Sequence, residues 1–225
     1  MLSQESLKIL RRSVTFGKWC RSTLLEWDRE SSRVKVKSSP LSQSHFWLNV
    51  TLHIAYEGFL LYRLAEAIFF PPPGTKLADT INLCYNIGCY ALPIALQWSY
   101  FSYRVELPAF INGYISFYEE FKETFIIPAH QEDADGCERL LNSYCQTAVV
   151  VTCQTFLIFL TDPKRNYFLT SLFTDEKGYV PIHIKLVLLC VQMQLWLSTW
   201  AIILLFGFIL YVYSFAGITV LREMR

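Results

Sequence analysis

The stretch Leu186–Val220, LVLLCVQMQLWLSTWAIILLFGFILYVYSFAGITV, runs for 35 residues without a charged side chain. As a helix it would be ~50 Å long at 1.5 Å per residue, well beyond a hydrocarbon core of ~30 Å. Two antiparallel spans would need a turn in the middle. The one breaker there, Gly207, sits between Phe206 and Phe208 with no polar neighbour, which makes a poor turn. The stretch therefore reads as one long helix over about 184–217 that crosses a membrane and projects from it.

Three other apolar stretches precede it. Phe46–Phe70, FWLNVTLHIAYEGFLLYRLAEAIFF, is long enough to span, although it carries His53, Glu57, Arg63 and Glu66; Pro71-Pro72-Pro73-Gly74 ends it. Ile81–Tyr103 has no formal charge and contains Pro93, expected to kink it. Tyr144–Thr161, at 18 residues, lies near the lower limit for a span and is ended by Asp162-Pro163-Lys164-Arg165. Between the second and third, apolar residues recur at helical spacing (Phe110, Tyr114, Phe117, Phe121, Phe125), which predicts an amphipathic inner helix over 107–126, broken at IPAHQEDADG. Residues 1–45 are polar, with no apolar run of signal-peptide type, and read as a tail with one or two short helices around Leu7–Leu25. The expected fold is an all-α integral membrane protein with four transmembrane helices over 46–221, spans at about 46–70, 81–103, 144–161 and 184–217.

Composition agrees with that class. The chain has 225 residues, 53% hydrophobic and 17% charged, with mean hydropathy +0.29. Soluble domains carry about 25% charged residues. The excess of apolar matter argues against a disordered chain, a nucleic-acid binder and an ordinary soluble enzyme. The net charge of +1 supplies no field to recruit an acidic partner. Loop charges give the orientation. The tail, the 104–143 connection and the C-terminal end together hold 14 Lys and Arg against 5 on the opposite side, so both termini are expected in the cytoplasm of a multi-pass plasma-membrane protein. Trp47, Trp98 and Tyr103 fit an inner aromatic belt; Tyr167 and Tyr179 would lie on the outer side. The triplet Asn49-Val50-Thr51 falls at the cytoplasmic start of the first span and reads as a chance glycosylation match.

The seven cysteines are scattered without a CxxC pair, and the four histidines lie far apart, so neither zinc spacing nor a disulfide framework is present and no cofactor or metal is expected; the cysteines read as small buried apolar residues. No GxSxG, HExxH, P-loop or GxGxxG occurs, and no catalytic residues are assigned. The notable polar groups are intramembrane. Glu57 falls near the middle of the first span, where a carboxylate is costly. It either faces a water-filled bundle interior and touches a ligand, or is neutral or bonded to a neighbouring helix and fixes packing. Arg63 and Glu66, three residues apart, share a helix face and can pair. Tyr62, Tyr85, Asn86, Tyr90, Gln192 and Trp196, with Gln194, fall in the outer half of the bundle. They form a candidate pocket for a small organic molecule, since aromatic walls with a few directional groups suit one; ordinary interhelical hydrogen bonding is the alternative.

The order of elements resembles the N-terminal half of the arthropod gustatory and odorant receptor superfamily, over about residues 15–221. The local match is Leu107-Pro108-Ala109-Phe110-Ile111-Asn112-Gly113-Tyr114-Ile115-Ser116-Phe117, similar to the pattern that follows the second span in these receptors. WCRSTLLEWDRESSRVKV (19–36) and YEGFLLYR (56–63) look like segments of divergent receptors of non-insect hexapods. The resemblance implies a seven-helix chemosensory receptor with a cytoplasmic N-terminus, a tetrameric ligand-gated cation channel of homo- or hetero-oligomeric type whose ligand pocket lies in the outer half. It also implies that the family's last three helices, including the pore helix, have no counterpart here, so the expectation is a truncated half holding part of the pocket. A self-contained four-span structural or adaptor protein is the alternative. A membrane enzyme would need paired His or carboxylate residues at the membrane edge, which are not seen.

Overall fold

The computed structural model describes residues 4–71, 77–124, 131–173 and 180–223. The chain is 80% helical. Its elements are α1 (Gln4–Trp19), β1 (Leu25–Asp28), β2 (Arg33–Val36), α2 (Pro40–Phe69), α3 (Leu77–Ser102), α4 (Glu106–Thr124), α5 (Gln131–Thr161), a 3-10 turn (Leu169–Phe173) and α6 (Ile182–Glu223).

The apolar stretch at the C-terminal end is one continuous helix. α6 has 42 residues, ~63 Å at 1.5 Å per residue, and Gly207 bends nothing into a turn. No proline and no charge interrupts it between Leu186 and Val220. Being apolar on every side, it serves as the axis of the fold: α1, α2, α3, α5 and the 3-10 turn all pack on it. α2 starts where its sequence says it should, with Pro40 in the first turn and Ser39 Oγ accepting from the Ser42 N–H at 3.3 Å. It begins six residues before the predicted span and runs antiparallel beside α3. Pro93 of α3 is buried at the helix contacts. Pro72, Pro73 and Gly74 of the expected breaker lie outside the described residues.

The third span departs from expectation. Residues 144–161 are only the C-terminal part of α5, which begins at Gln131; the polar segment read as a break is helical from 131 onward. Gln, Glu, Asp and Ala are compatible with a helix, and acids in the first turns favour its positive end, so Gly136 alone does not interrupt it. Residues 125–130 lie outside the described set, including the last two of the predicted 107–126 helix; the rest of that helix is α4.

Of the four expected spans, one passes on length and apolarity among the described residues. Ile182–Leu210 is long and apolar enough to cross a membrane, and Cys145–Thr161 is apolar but shorter. α2 and α3 fall short because polar residues dilute them. Those residues are turned inward. Asn49, His53, Gln97, Gln192, Ser198 and Thr199 are buried, whereas Leu48, Ile54, Leu61, Ile81, Leu92, Val150, Leu157 and Val187 are exposed. Apolar side chains fill the core too, Leu60, Leu83, Leu195 and Ile202 among them, so the exterior is apolar as well as the interior. Threonines on α5 complete the pattern: the hydroxyls of Thr147, Thr152 and Thr155 donate to carbonyls four residues back at 2.8–2.9 Å, so they need no solvent. The cysteines follow suit. Cys20 is buried, but Cys84, Cys153 and Cys190 are exposed on the apolar exterior, correcting the expectation of buried thiols.

The tail is folded rather than merely helical. α1 ends in a Schellman-type cap: the Ser22 N–H donates to the Gly17 carbonyl at 3.0 Å and the Arg21 N–H to the Lys18 carbonyl at 3.1 Å, with Arg21 in the left-handed region at φ 57°. Gly17 is required there, because a Cβ would come within 2.9 Å of Thr23 Oγ1. Cys20, sealed at this junction, has its thiol pushed up to about 12 by burial. The hairpin β1–β2 then pairs Leu25 with Val36 and Trp27 with Val34 on one apolar face, and Glu26 with Lys35 and Asp28 with Arg33 on the other. Its outer edge is covered by α4. Asn112 Oδ1 accepts from the Val34 N–H and Asn112 Nδ2 donates to the Val34 carbonyl, both at 2.8 Å, as a neighbouring strand would. Seven residues on, Glu119 pairs with Arg33 at 2.7 Å, and its carboxyl is lowered by that guanidinium. α1, the hairpin, α4 and the inner parts of α2, α3 and α6 share one core built on Leu10, Val34, Phe46, Tyr100, Ile115 and Leu205.

Two outcomes follow. Asn112→Leu should lower the stability of the detergent-solubilised protein by about 2 kcal/mol, because two backbone groups of Val34 lose partners. Arg33→Ala, acting on an ion pair with an exposed carboxylate, should cost no more than about 1 kcal/mol; thermal unfolding of both variants checks the ranking. The Asp28 carboxyl is held down at about 2 by its bonds to Lys35 and then Ser31. A depressed carboxyl contributes fully above its unfolded value near 3.9 and is lost as pH falls through about 2. The protein should therefore lose this pair's contribution to stability between pH 4 and pH 2, and Asp28→Asn should lower the unfolding temperature at pH 4 but leave it unchanged near pH 2.

Candidate functional site

The buried polar groups form a seam between α2, α3 and α6. At its outer end Tyr56, Tyr90, Gln192 and Trp196 meet. Gln192 Nε2 donates to the Tyr56 hydroxyl at 3.1 Å and to the Tyr90 hydroxyl at 3.3 Å. The Tyr56 hydroxyl donates to the Tyr167 carbonyl at 2.5 Å, which draws the loop after α5 into the bundle. The Tyr56 and Tyr90 rings meet edge-on at 4.6 Å, and Phe168 lies against Trp196 at 6.4 Å and Phe159 at 5.0 Å. Gln192 Oε1 is buried without a partner.

Half of the expected pocket is therefore assembled and half is not. Tyr90, Gln192 and Trp196 converge. Tyr62 and Tyr85 do not: they are 58% and 71% exposed. At 100° per residue, Tyr62 lies ~240° around α2 from Tyr56 and Tyr85 lies ~140° around α3 from Tyr90, so neither can share the buried face. Asn86 is half-buried and donates to its own helix, Nδ2 to the Asn82 carbonyl at 2.7 Å. Arg63 and Glu66 pair as the spacing predicts, at 2.5 Å, and Arg63 Nε also donates to the Asn166 carbonyl at 3.4 Å, tying α2 to the same loop. Glu57 is half-buried, its Oε2 shielded and without a hydrogen-bond partner.

Deeper in the bundle the seam contains polar residues to which the sequence reading gave no role, together with Gln194, which was expected in the outer pocket and lies against the end of the tail helix instead. His53 Nδ1 lies 2.9 Å from the Asn49 carbonyl, and its Nε2 is 3.2 Å from Ser198 Oγ and 3.3 Å from Thr199 Oγ1. A Ser beside a His suggests a nucleophile and its base. Here both are fully buried, and the Ser198 hydroxyl also donates to the Leu195 carbonyl at 3.0 Å, so the arrangement joins helices rather than offering a reactive oxygen. Gln194 Nε2 donates to the Cys20 carbonyl at 2.7 Å and to Asn49 Oδ1 at 3.3 Å. Asn49 is thus an interior residue in which a glycan has no place. Gln97 is 0% exposed, with neither amide atom partnered. The 49-53-56 spacing on α2 was the available signal, since steps of four and three mark one helical face.

The rings of the outer cluster fill the space between them. A roomier cavity of about 390 Å³ lies between α1, α5 and α6. Among the described residues no three His, Cys, Asp or Glu side chains gather where they could hold a metal ion.

Tyr56→Phe keeps the ring contacts but leaves the Tyr167 carbonyl and the Gln192 amide short of a partner. It should cost about 1–2 kcal/mol in detergent unfolding and render the 162–168 loop more susceptible to protease. Set against protein-family models, curated proteins and solved structures, the chain matches none of them.

Proposed function

We propose that this chain is a multi-pass plasma-membrane protein in which α2, α3, α5 and α6 span the bilayer with both termini cytoplasmic. We propose further that it supplies the ligand-sensing part of a chemosensory receptor of ligand-gated cation channel type. The observation that carries the membrane reading is the apolar exterior: leucine, isoleucine and valine side chains stand exposed along α2, α3, α5 and α6, while amides, hydroxyls and an imidazole join the apolar core inside. Lipid is the solvent that favours such a surface. It also explains why length and apolarity single out α6 alone, since the other helices keep their polar residues on the inner face.

Two features support the receptor reading over a closed structural bundle. The interior is incompletely satisfied, with Gln97, Gln192 Oε1 and Asn49 Nδ2 lacking partners, as in a site meant to exchange partners. A small organic molecule that parts the Tyr56–Tyr90–Gln192–Trp196 rings would meet aromatic faces and the Gln192 amide oxygen. In this reading related receptor subunits, of the same or another chain, complete the assembly, and nucleic acid plays no part. The filled outer cluster favours the second reading, a four-span structural or adaptor protein.

The membrane reading is checked by washing membranes with alkaline carbonate: the protein should stay with the lipid and leave only with detergent. For the receptor reading, a panel of small odorants and tastants should contain compounds that change the protein's tryptophan fluorescence saturably in lipid nanodiscs. Trp196→Phe should abolish the change and Gln192→Leu weaken it. Silence across the panel, and no current when the chain is expressed with candidate partner subunits, would favour the structural reading.

A further inference from the structure

We propose that the cavity between α1, α5 and α6 binds one anionic phospholipid drawn from the cytoplasmic leaflet, its headgroup on Arg12 and an acyl chain between α5 and α6. The proposal rests on the membrane reading above and is independent of the receptor reading.

The cavity has the volume of a small-molecule site, about 390 Å³ against the usual range of about 300–1,000 Å³. Its walls are of two kinds. Ala148 and Val149 of α5 and Trp200 and Leu204 of α6 are apolar, and Arg12 of α1 stands at the rim. Arg12 is exposed and has no carboxylate partner among the described residues; its charge is felt at Cys145, across the cavity on α5. A soluble anion would use the guanidinium and leave the walls wet. A neutral apolar molecule would use the walls and leave the charge idle. An amphiphile with a negative head satisfies both.

The surroundings select a lipid as that amphiphile. α1 packs Ile9, Leu10 and Val14 into the protein core and carries Lys8, Arg11 and Arg12 on its other side, basic residues that an anionic headgroup at the cytoplasmic surface would meet. Val149 and Cys153 are exposed on the outer side of the cavity, so the opening faces where bilayer lipid would lie. An acyl chain can then enter sideways without leaving the hydrocarbon.

The test uses the intact protein, extracted in mild detergent, exchanged into equal mixtures of dioleoyl phosphatidylserine and dioleoyl phosphatidylcholine, and weighed by native mass spectrometry. The tails are identical, so a preference reports the head. One retained phosphatidylserine is expected, favoured about fivefold, the effect of one basic residue near a membrane. Arg12→Gln should bring the preference close to one while lipid is still retained. Val149→Trp, a change on the exposed side of the cavity that fills it, should remove the bound lipid. Equal retention of the two lipids by the unaltered protein, an unchanged preference in Arg12→Gln, or a lipid-free dimer covering the cavity would each overturn the proposal. Carbonate washing of the same membranes separates the failures: a protein released by the wash sinks the membrane reading, whereas one that stays but shows no preference sinks only the lipid site.

Discussion

The side-chain amide of Gln194 joins three parts of the chain that are far apart in sequence. Its NH₂ group reaches the carbonyl of Cys20, where the tail helix ends, and the side-chain oxygen of Asn49 on α2, from a position in the first third of α6. In water these bonds would contribute little, because each group exchanges one partner for another. In surroundings that offer no competing donor, a polar group left alone costs far more, and the three segments are held to one register. The same constraint governs the rest of the seam: His53 against Ser198 and Thr199, Tyr56 against Gln192 and Tyr167. Apolar contact between helices is unselective about rotation. The seam supplies the selection, and the aromatic cluster and the folded tail are both placed by it.

The helices were legible because their signals are long. Thirty-five uncharged residues have few alternatives to one continuous helix; the start of α2 at Pro40 was missed because the mostly polar residues 40–45 were read as tail, although Ser39-Pro40 is a helix-start pattern. The early start of α5 was hidden because a polar segment was read as a loop, although Gln131, Glu132, Asp133 and Ala134 suit the first turn of a helix well. The hairpin was hidden by its brevity. Leu25-Glu26-Trp27-Asp28 and Arg33-Val34-Lys35-Val36 alternate with period two across four polar residues, but four-residue strands give a faint signal beside helices at least four times their length. The site was half legible because residue type indicates what a side chain can do, whereas the rotation of a helix decides what it meets. Tyr90 and Tyr85 are alike in kind and opposite in direction. His53 and Gln97 were given no role for the same reason, since single polar residues in an apolar run announce nothing until the facing helix is known.

Asn112 ties the sequence pattern to a physical role. It lies in the Ile111-Asn112 pair on α4, and it acts as a substitute strand, closing the open edge of a hairpin from another part of the chain. A carboxamide is the shortest side chain that carries both a donor and an acceptor in the spacing of a peptide group. Aspartate or leucine at that position would lose one bond or both. The tail is consequently an integral part of the inner core.

α6 runs unbroken from Trp196, against the outer aromatic cluster, to Leu205 and Phe208, in the core that holds the tail. No loop lies between the two, and a helix is stiff along and about its axis. The aromatic cluster and the core that holds the tail are therefore two parts of one rigid rod, and neither can shift along the axis of α6 without the other.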